Sequence, residues 1–159
     1  MVTSVYIKEL TFLRKNLSIY LNYWSSTNTQ WQPHKETFST HDLFCHLCLL
    51  PKCYSLILMP NNDDDDDILK YWGGPWNYEP DILEQELESG CNKLTNLLNR
   101  MSIEDLTKKK YKWPFGEPLT ALEHLHNMFT HVYHHRGQLH LYLKLQGVPV
   151  NTNTIYSTN

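Results

Sequence analysis

His131 and His135 stand four residues apart in the string HVYHHRGQ at 131–138. Residues four apart share one face of a helix, so two imidazoles at this spacing bring ring nitrogens together and can chelate a divalent cation. The spacing is not specific by itself, because an exposed or hydrogen-bonded histidine pair is an equally ordinary reading. Its surroundings sharpen it. A histidine cluster beside a leucine face costs desolvation energy, and a bound cation would offset that cost.

That geometry needs a long helix to carry it. The sequence predicts one helix from near Pro118 to Gly147, with Pro149 just beyond. Proline is tolerated in a first turn, and glycine followed by proline marks a stop. Thr120 and Glu123 have capping-box spacing, which offers a start a residue or two later. At about 1.5 Å per residue, roughly 28 residues make a rod about 42 Å long. On a helical wheel with His131 at zero, His135, His124, Gln138 and Tyr142 fall within about 40° of it. Leu125, Met128, Val132, Leu139 and Leu143 fill the adjoining sector. His126 and His140 fall on the far side with Tyr133 and Lys144. Gln138 and Asn127 lie on the His131 side, one turn either way, as candidates to hydrogen-bond and orient the ligands; for Asn127 ordinary helix packing is the stronger expectation. Arg136 points away and is expected in an ion pair or helix contact, and Gly137 in close packing with a neighbouring helix.

The pattern HxxxHRGQ formed by His131, His135, Arg136, Gly137 and Gln138, followed by LYLKLQGVPV at 141–150, resembles the DinB/YfiT-like family. The resemblance implies an all-α four-helix bundle, usually dimeric, with a three-histidine metal site whose third ligand comes from the second helix. Leu43-Phe44-Cys45-His46-Leu47 matches that segment, which makes His46 the implied third ligand. Asn127 departs from the pattern, since many relatives carry a histidine four residues before the first motif histidine.

The remaining chain agrees with a single bundle domain over 1–159. Its 159 residues, 41% hydrophobic and 19% charged, suit one globular core. A net charge of −3, with Lys108-Lys109-Lys110 the only basic run, offers no phosphate-binding stripe and argues against nucleic acid. The absence of an 18-residue apolar stretch or a basic-then-apolar N-terminus argues against a membrane and for a cytoplasmic protein. Cys45, Cys48, Cys53 and Cys91 do not read as a disulfide framework. The CxxC at 45–48 lacks the context of a redox pair or zinc half-site, and small apolar core residues are the better reading. Cys53, seven residues after His46, could lie beneath the metal.

Leu10, Leu13, Leu17, Leu21 and Trp24 mark an amphipathic first helix over 2–24. Thr37, Ser39 and Thr40 offer caps for a second, which carries His46 and an internal Pro51 expected to kink it. Residues 60–79 read as a long connection with a solvated acidic run, Asp63 to Asp67; its aromatics either tuck over the core or line a pocket mouth. Pro80 opens a third helix with a Leu83–Met101 seam, in which Gly90 admits a close neighbour. SIEDL at 102–106 reads as one short turn, and 107–117 as a loop into the last helix.

A His₃ site leaves a coordination position open, the arrangement of catalytic rather than structural zinc. Nickel or zinc is the expected ion, although cobalt and iron suit the same ligands. Characterised members of the family that the chain resembles include thiol-dependent S-transferases and isomerases, and some members are named as hydrolases. The resemblance therefore implies a transferase that uses a low-molecular-weight thiol on small electrophiles, with a metal-dependent hydrolase or a non-catalytic metal-binding stress-response bundle as alternatives. A homodimer is expected on the same ground, with the abundant aromatic residues, ten tyrosines and five tryptophans, leaving some for a surface patch.

Overall fold

Four long amphipathic helices carry the fold, and the computed structural model describes them within residues 2–60 and 65–158. Helix α1 (Val2–Leu21) buries Leu10, Leu13, Leu17 and Tyr20 along one stripe. Helix α2 (Thr40–Ile57) starts at a reciprocal capping box between Ser39 and Asp42 and runs on unbroken through Pro51. It is almost wholly buried, because α4 and α6 pack on it from two sides and the short helix α3 (Asp65–Gly73) from a third. Helix α4 (Pro80–Arg100) opens on Pro80 and buries Leu83, Leu87, Leu94 and Leu98 as the seam spacing predicted. At Gly90 a side chain would fall 2.5 Å from the backbone nitrogen of Lys52, so this glycine is what lets α2 approach α4. The same crossing is tied by an ion pair between Lys52 and Glu86.

The last long helix, α6 (Ala121–Leu145), begins at the Thr120–Glu123 capping box, the later of the two starts that the sequence offered. Two segments differ from the sequence expectation. Pro118 lies instead in β2 (Gly116–Thr120), which pairs antiparallel with β1 (Lys110–Trp113) where a loop was expected. A two-stranded hairpin is marginal alone; this one is held by Tyr111, which it buries, and by Trp113, which packs on Tyr54 and His124. The 60–79 connection contains α3, whose first turn is Asp65–Asp67 and last turn holds Lys70, both favourable to the helix dipole. Asp65 pairs with Lys112 of β1 at 2.6 Å. Asp63 and Asp64 of the acidic run lie outside the described residues.

Smaller elements complete the chain: a single 3-10 turn at Trp24–Ser26, helix α5 (Ile103–Thr107) and helix α7 (Thr152–Tyr156). Buried Asn16 of α1 holds the last of these, donating to the carbonyls of Thr154 and Ser157 at 2.9 Å each and accepting from Arg136 at 3.0 Å. Arg136 also lies over the Tyr133 ring, a helix contact as expected. The far side of α6 is less exposed than the wheel implied. His140 is buried with its Nδ1 2.9 Å from the Tyr20 hydroxyl, and Tyr133 bonds Glu9, because α1 covers that side. Gly137 is the opposite case: nothing lies within 4 Å of the position its side chain would take, so close helix packing does not account for it. Among the described residues no helix is long and apolar enough to cross a membrane.

Candidate metal centre

His46 reaches the site from α2, one turn before Pro51; His131 and His135 reach it from successive turns of α6. The three rings form a triangle with centroids 4.9, 4.8 and 4.6 Å apart, and one nitrogen from each lies within 4.8 Å of the others. His46 Nε2 and His131 Nε2 are 3.0 Å apart. Nitrogens bound to one ion at about 2.0–2.1 Å stand roughly 3 Å apart, so this separation fits a shared cation.

Protonation favours the same arrangement. Burial, with the neighbouring His135 and His131 adding to it, pushes the pKa of His46 down from 6.5 to about 3. Burial and the adjacent His135 and His134 take His131 to about 4, and burial lowers His135. All three therefore carry open lone pairs near neutral pH. His135 Nδ1–H donates to Gln138 Oε1 at 2.7 Å, which fixes the tautomer and leaves Nε2 as the free acceptor. Gln138 thus sits where the wheel placed it.

His46 Nδ1 is buried without a hydrogen bond of ordinary geometry; only the nearby Trp72 backbone offsets the cost of charging that ring. Without an ion, the paired His46 and His131 Nε2 atoms can satisfy each other only if one of them donates. A cation between them would let both act as acceptors. The residues present fit a metal ion.

Aromatic rings enclose the triad. Trp72 stands edge-on to His131 with centroids 4.8 Å apart, Trp76 lies 5.5 Å from His46, and Phe38 bridges His46 and His135 at 5.4 and 5.8 Å. A cleft of about 470 Å³ opens on the other side, lined by His131, His135, His134, Asn127 and Thr130 of α6, Tyr54 of α2, Trp72 of α3 and Trp113 of β1. Of the 60–79 aromatics, Trp72 lines this cleft and Trp76 is buried over the core. Trp113 had no signal beyond its place in KYKWPFG, and Phe38 had none. Asn127 lines the cleft beside His131 and makes no hydrogen bond to a ligand histidine.

The four cysteines are buried, free thiols. Burial pushes Cys45, Cys53 and Cys91 up to about 12 and Cys48 well above its ordinary range, as core residues rather than nucleophiles. Cys53 turns toward α3, its thiol 3.7 Å from the Ile68 carbonyl, so the expectation that it underlies the metal is not met.

Comparison with known proteins places this site in context. A family model described as the DinB superfamily matches residues 9–139. Among solved structures the chain is similar to a DinB-like protein, YjoA, from Bacillus subtilis, with 15% identity, a TM-score of 0.63, and coverage of 89% of this chain and 92% of that one. At that identity the likeness speaks for the fold alone. No protein of curated function matches.

Proposed function

The chain belongs to the DinB superfamily, and from that premise we propose that it is a single-domain, metal-dependent transferase. It holds one divalent transition-metal ion, nickel or zinc, on His46, His131 and His135, and joins a low-molecular-weight thiol to small electrophiles. The observation that carries this reading is the cleft. It opens directly onto His131 and His135, whereas a storage site would be plugged by side chains. When bound, such an ion supplies a positive charge that lowers the pKa of a thiol or water at its open position.

The chain's own residues do the rest. His46 is buried, and the cleft opens on the His131 and His135 side of the triad. Gln138 holds His135 in one tautomer, and Trp72 packed edge-on limits rotation of His131. Tyr54, whose phenol burial pushes well above its ordinary range, stays protonated in the cleft wall. No carboxylate lines the cleft among the described residues, which disfavours acid–base hydrolysis by a carboxylate pair.

Protein purified without immobilised nickel should contain near-stoichiometric transition metal by elemental analysis, and His131→Ala should lose it. Metal-loaded protein should then consume a low-molecular-weight thiol in the presence of a chlorinated or epoxide electrophile, and His135→Ala should not. Metal retained by His131→Ala would overturn the ligand set. Equal rates in the two assays, or none above buffer, would leave a non-catalytic metal-binding protein. The same reading takes the protein to be a cytoplasmic homodimer, for which exposed Leu141 and Leu145 on α6 offer apolar surface. Light scattering that finds a monomer at micromolar concentration would refute that part.

A further inference from the structure

The cleft beside the triad is walled in a way that says what kind of molecule it takes. Trp72 and Trp113 meet at 86° with centroids 5.4 Å apart, so they form a corner and not a stack. A flat ring entering that corner meets the face of one indole and the edge of the other, the two arrangements that aromatic pairs prefer. Phe115, at the hairpin turn and 48% exposed, backs both indoles with centroids 5.0 Å from Trp72 and 5.2 Å from Trp113. The cleft that both indoles line has a volume of about 470 Å³, enough to admit a further ring.

Besides the histidines, the polar groups that line the cleft are the Asn127 carboxamide, the Thr130 hydroxyl and the Tyr54 phenol, with no carboxylate among them. Thr130 donates its hydroxyl to the His126 carbonyl at 3.0 Å, which leaves its oxygen free to accept. The Asn127 carboxamide makes no hydrogen bond among the described residues, so its amide donors are available to a ligand oxygen. Aromatic faces also attract cations, but an ammonium here would find no lining carboxylate and would sit beside three histidines arranged for a metal ion.

We propose that the cleft selects a planar aromatic substrate without positive charge, seated in the Trp72–Trp113 corner with a carbonyl-type oxygen on Asn127. This rests on the reading of the cleft as the substrate face of the metal centre. It adds to that reading the substrate class and the residues that choose it.

The test reads binding apart from turnover. The full chain, zinc-loaded and metal-free, is titrated by saturation-transfer NMR with acetophenone, with its ring-saturated counterpart cyclohexyl methyl ketone, and with phenyltrimethylammonium. Acetophenone should bind about tenfold more tightly than the saturated ketone, and the ammonium should bind more weakly than either. Trp113→Leu, which keeps apolar bulk but loses the ring face, should cut the aromatic preference by about three- to tenfold. Should Trp113→Leu not fold, Trp72→Leu, which removes the other wall of the corner, carries the same test. Equal affinity for the two ketones, a preference for the cation, or an unchanged preference in the variants would overturn the proposal. A chain that shows the aromatic preference but catalyses nothing upholds the cleft and sinks the enzyme; one that turns over aliphatic and aromatic electrophiles alike does the reverse.

Discussion

Two glycines on the long helices should respond to the same substitution with opposite signs. At Gly90 an added Cβ would fall 2.5 Å from the Lys52 nitrogen, 3.0 Å from its Cα and 3.1 Å from its Cβ. Carbon contacts are comfortable near 3.5–4.0 Å, and two of these three neighbours are backbone that cannot rotate away. Helix α4 would have to withdraw by about 1 Å, which loosens contacts along the whole α2–α4 face. Overpacking of this kind costs about 1–3 kcal/mol, while replacing a mid-helix glycine by alanine returns about 1 kcal/mol of helix propensity. Because the obstacle is main chain, the loss should win, with a net destabilisation of up to about 2 kcal/mol. At Gly137 nothing lies within 4 Å, so only the propensity gain remains. Gly137→Ala should therefore stabilise by up to about 1 kcal/mol.

Urea unfolding followed by far-UV circular dichroism, with a chelator present to remove metal linkage, measures both changes. In thermal scans the two variants should shift in opposite directions, by about 2–4 °C for each kcal/mol. A Gly90→Ala variant as stable as the parent would refute the close approach of α2 to α4. A destabilised Gly137→Ala variant would mean that another surface, such as a second copy of the chain, covers that side of α6.

Other outcomes follow from single contacts. Gln138→Leu removes the acceptor for His135 Nδ1–H, and competition with a chromophoric chelator should show metal affinity about 10–100-fold weaker, with the metal-free melt little changed; unchanged affinity would mean that Gln138 does not orient the ring. His124 is buried, with Nε2–H on the Tyr111 carbonyl at 3.3 Å and Nδ1 unpartnered, and burial holds its pKa below 6.5. The folded state then binds fewer protons than the unfolded one, so stability present above about pH 6.5 is lost as pH falls below it. Urea midpoints between pH 7 and pH 5 should shift less in metal-free His124→Leu than in the parent. Asn16→Leu strands the Thr154 and Ser157 carbonyls and the Arg136 guanidinium; it should cost about 1–3 kcal/mol and expose α7 to limited proteolysis.

The four long helices were legible because apolar residues recur along each at spacings of three and four, leucine in α1 and α4 and a mixture with methionine, valine or cysteine in α2 and α6, and because the caps that bound them are local. Thr120 with Glu123 and Pro80 at a first turn are read directly from neighbouring residues. His46 was legible only through its surroundings in LFCHL and the family resemblance, since nothing local in α2 tells which polar side chain faces α6. Two segments were hidden for physical reasons. Helix α3 buries only Ile68 among its described side chains and is nine residues long, too short to display a period, and its acidic first turn looks like a solvated loop. The hairpin places one buried residue, Tyr111, on four-residue β1, so the alternation of a strand has no length in which to appear. Gly137 misled for a different reason. A glycine on a helix signals either close approach or open space, and only the neighbours distinguish them.

The hidden segments are the ones that complete the site. The bundle supplies the three candidate ligands from its long helices, where a periodic sequence fixes geometry well: His46 on α2, His131 and His135 on α6. The walls that shape access come from α3, which carries Trp72, and from the hairpin, which carries Trp113 and Phe115. These two elements brace each other through Asp65 and Lys112, while Trp113 also rests on His124 and Tyr54 from the bundle. Short elements held by tertiary contacts can change shape or sequence without disturbing a core made of leucine stripes. Under the proposed function, then, the metal chemistry would belong to the scaffold and the choice of substrate to the additions. Grafting the 65–73 and 110–116 aromatics onto another bundle with the same three histidines should transfer ligand preference and leave metal affinity where it was. A graft that moved the metal affinity instead would show that wall and ligands are not separable.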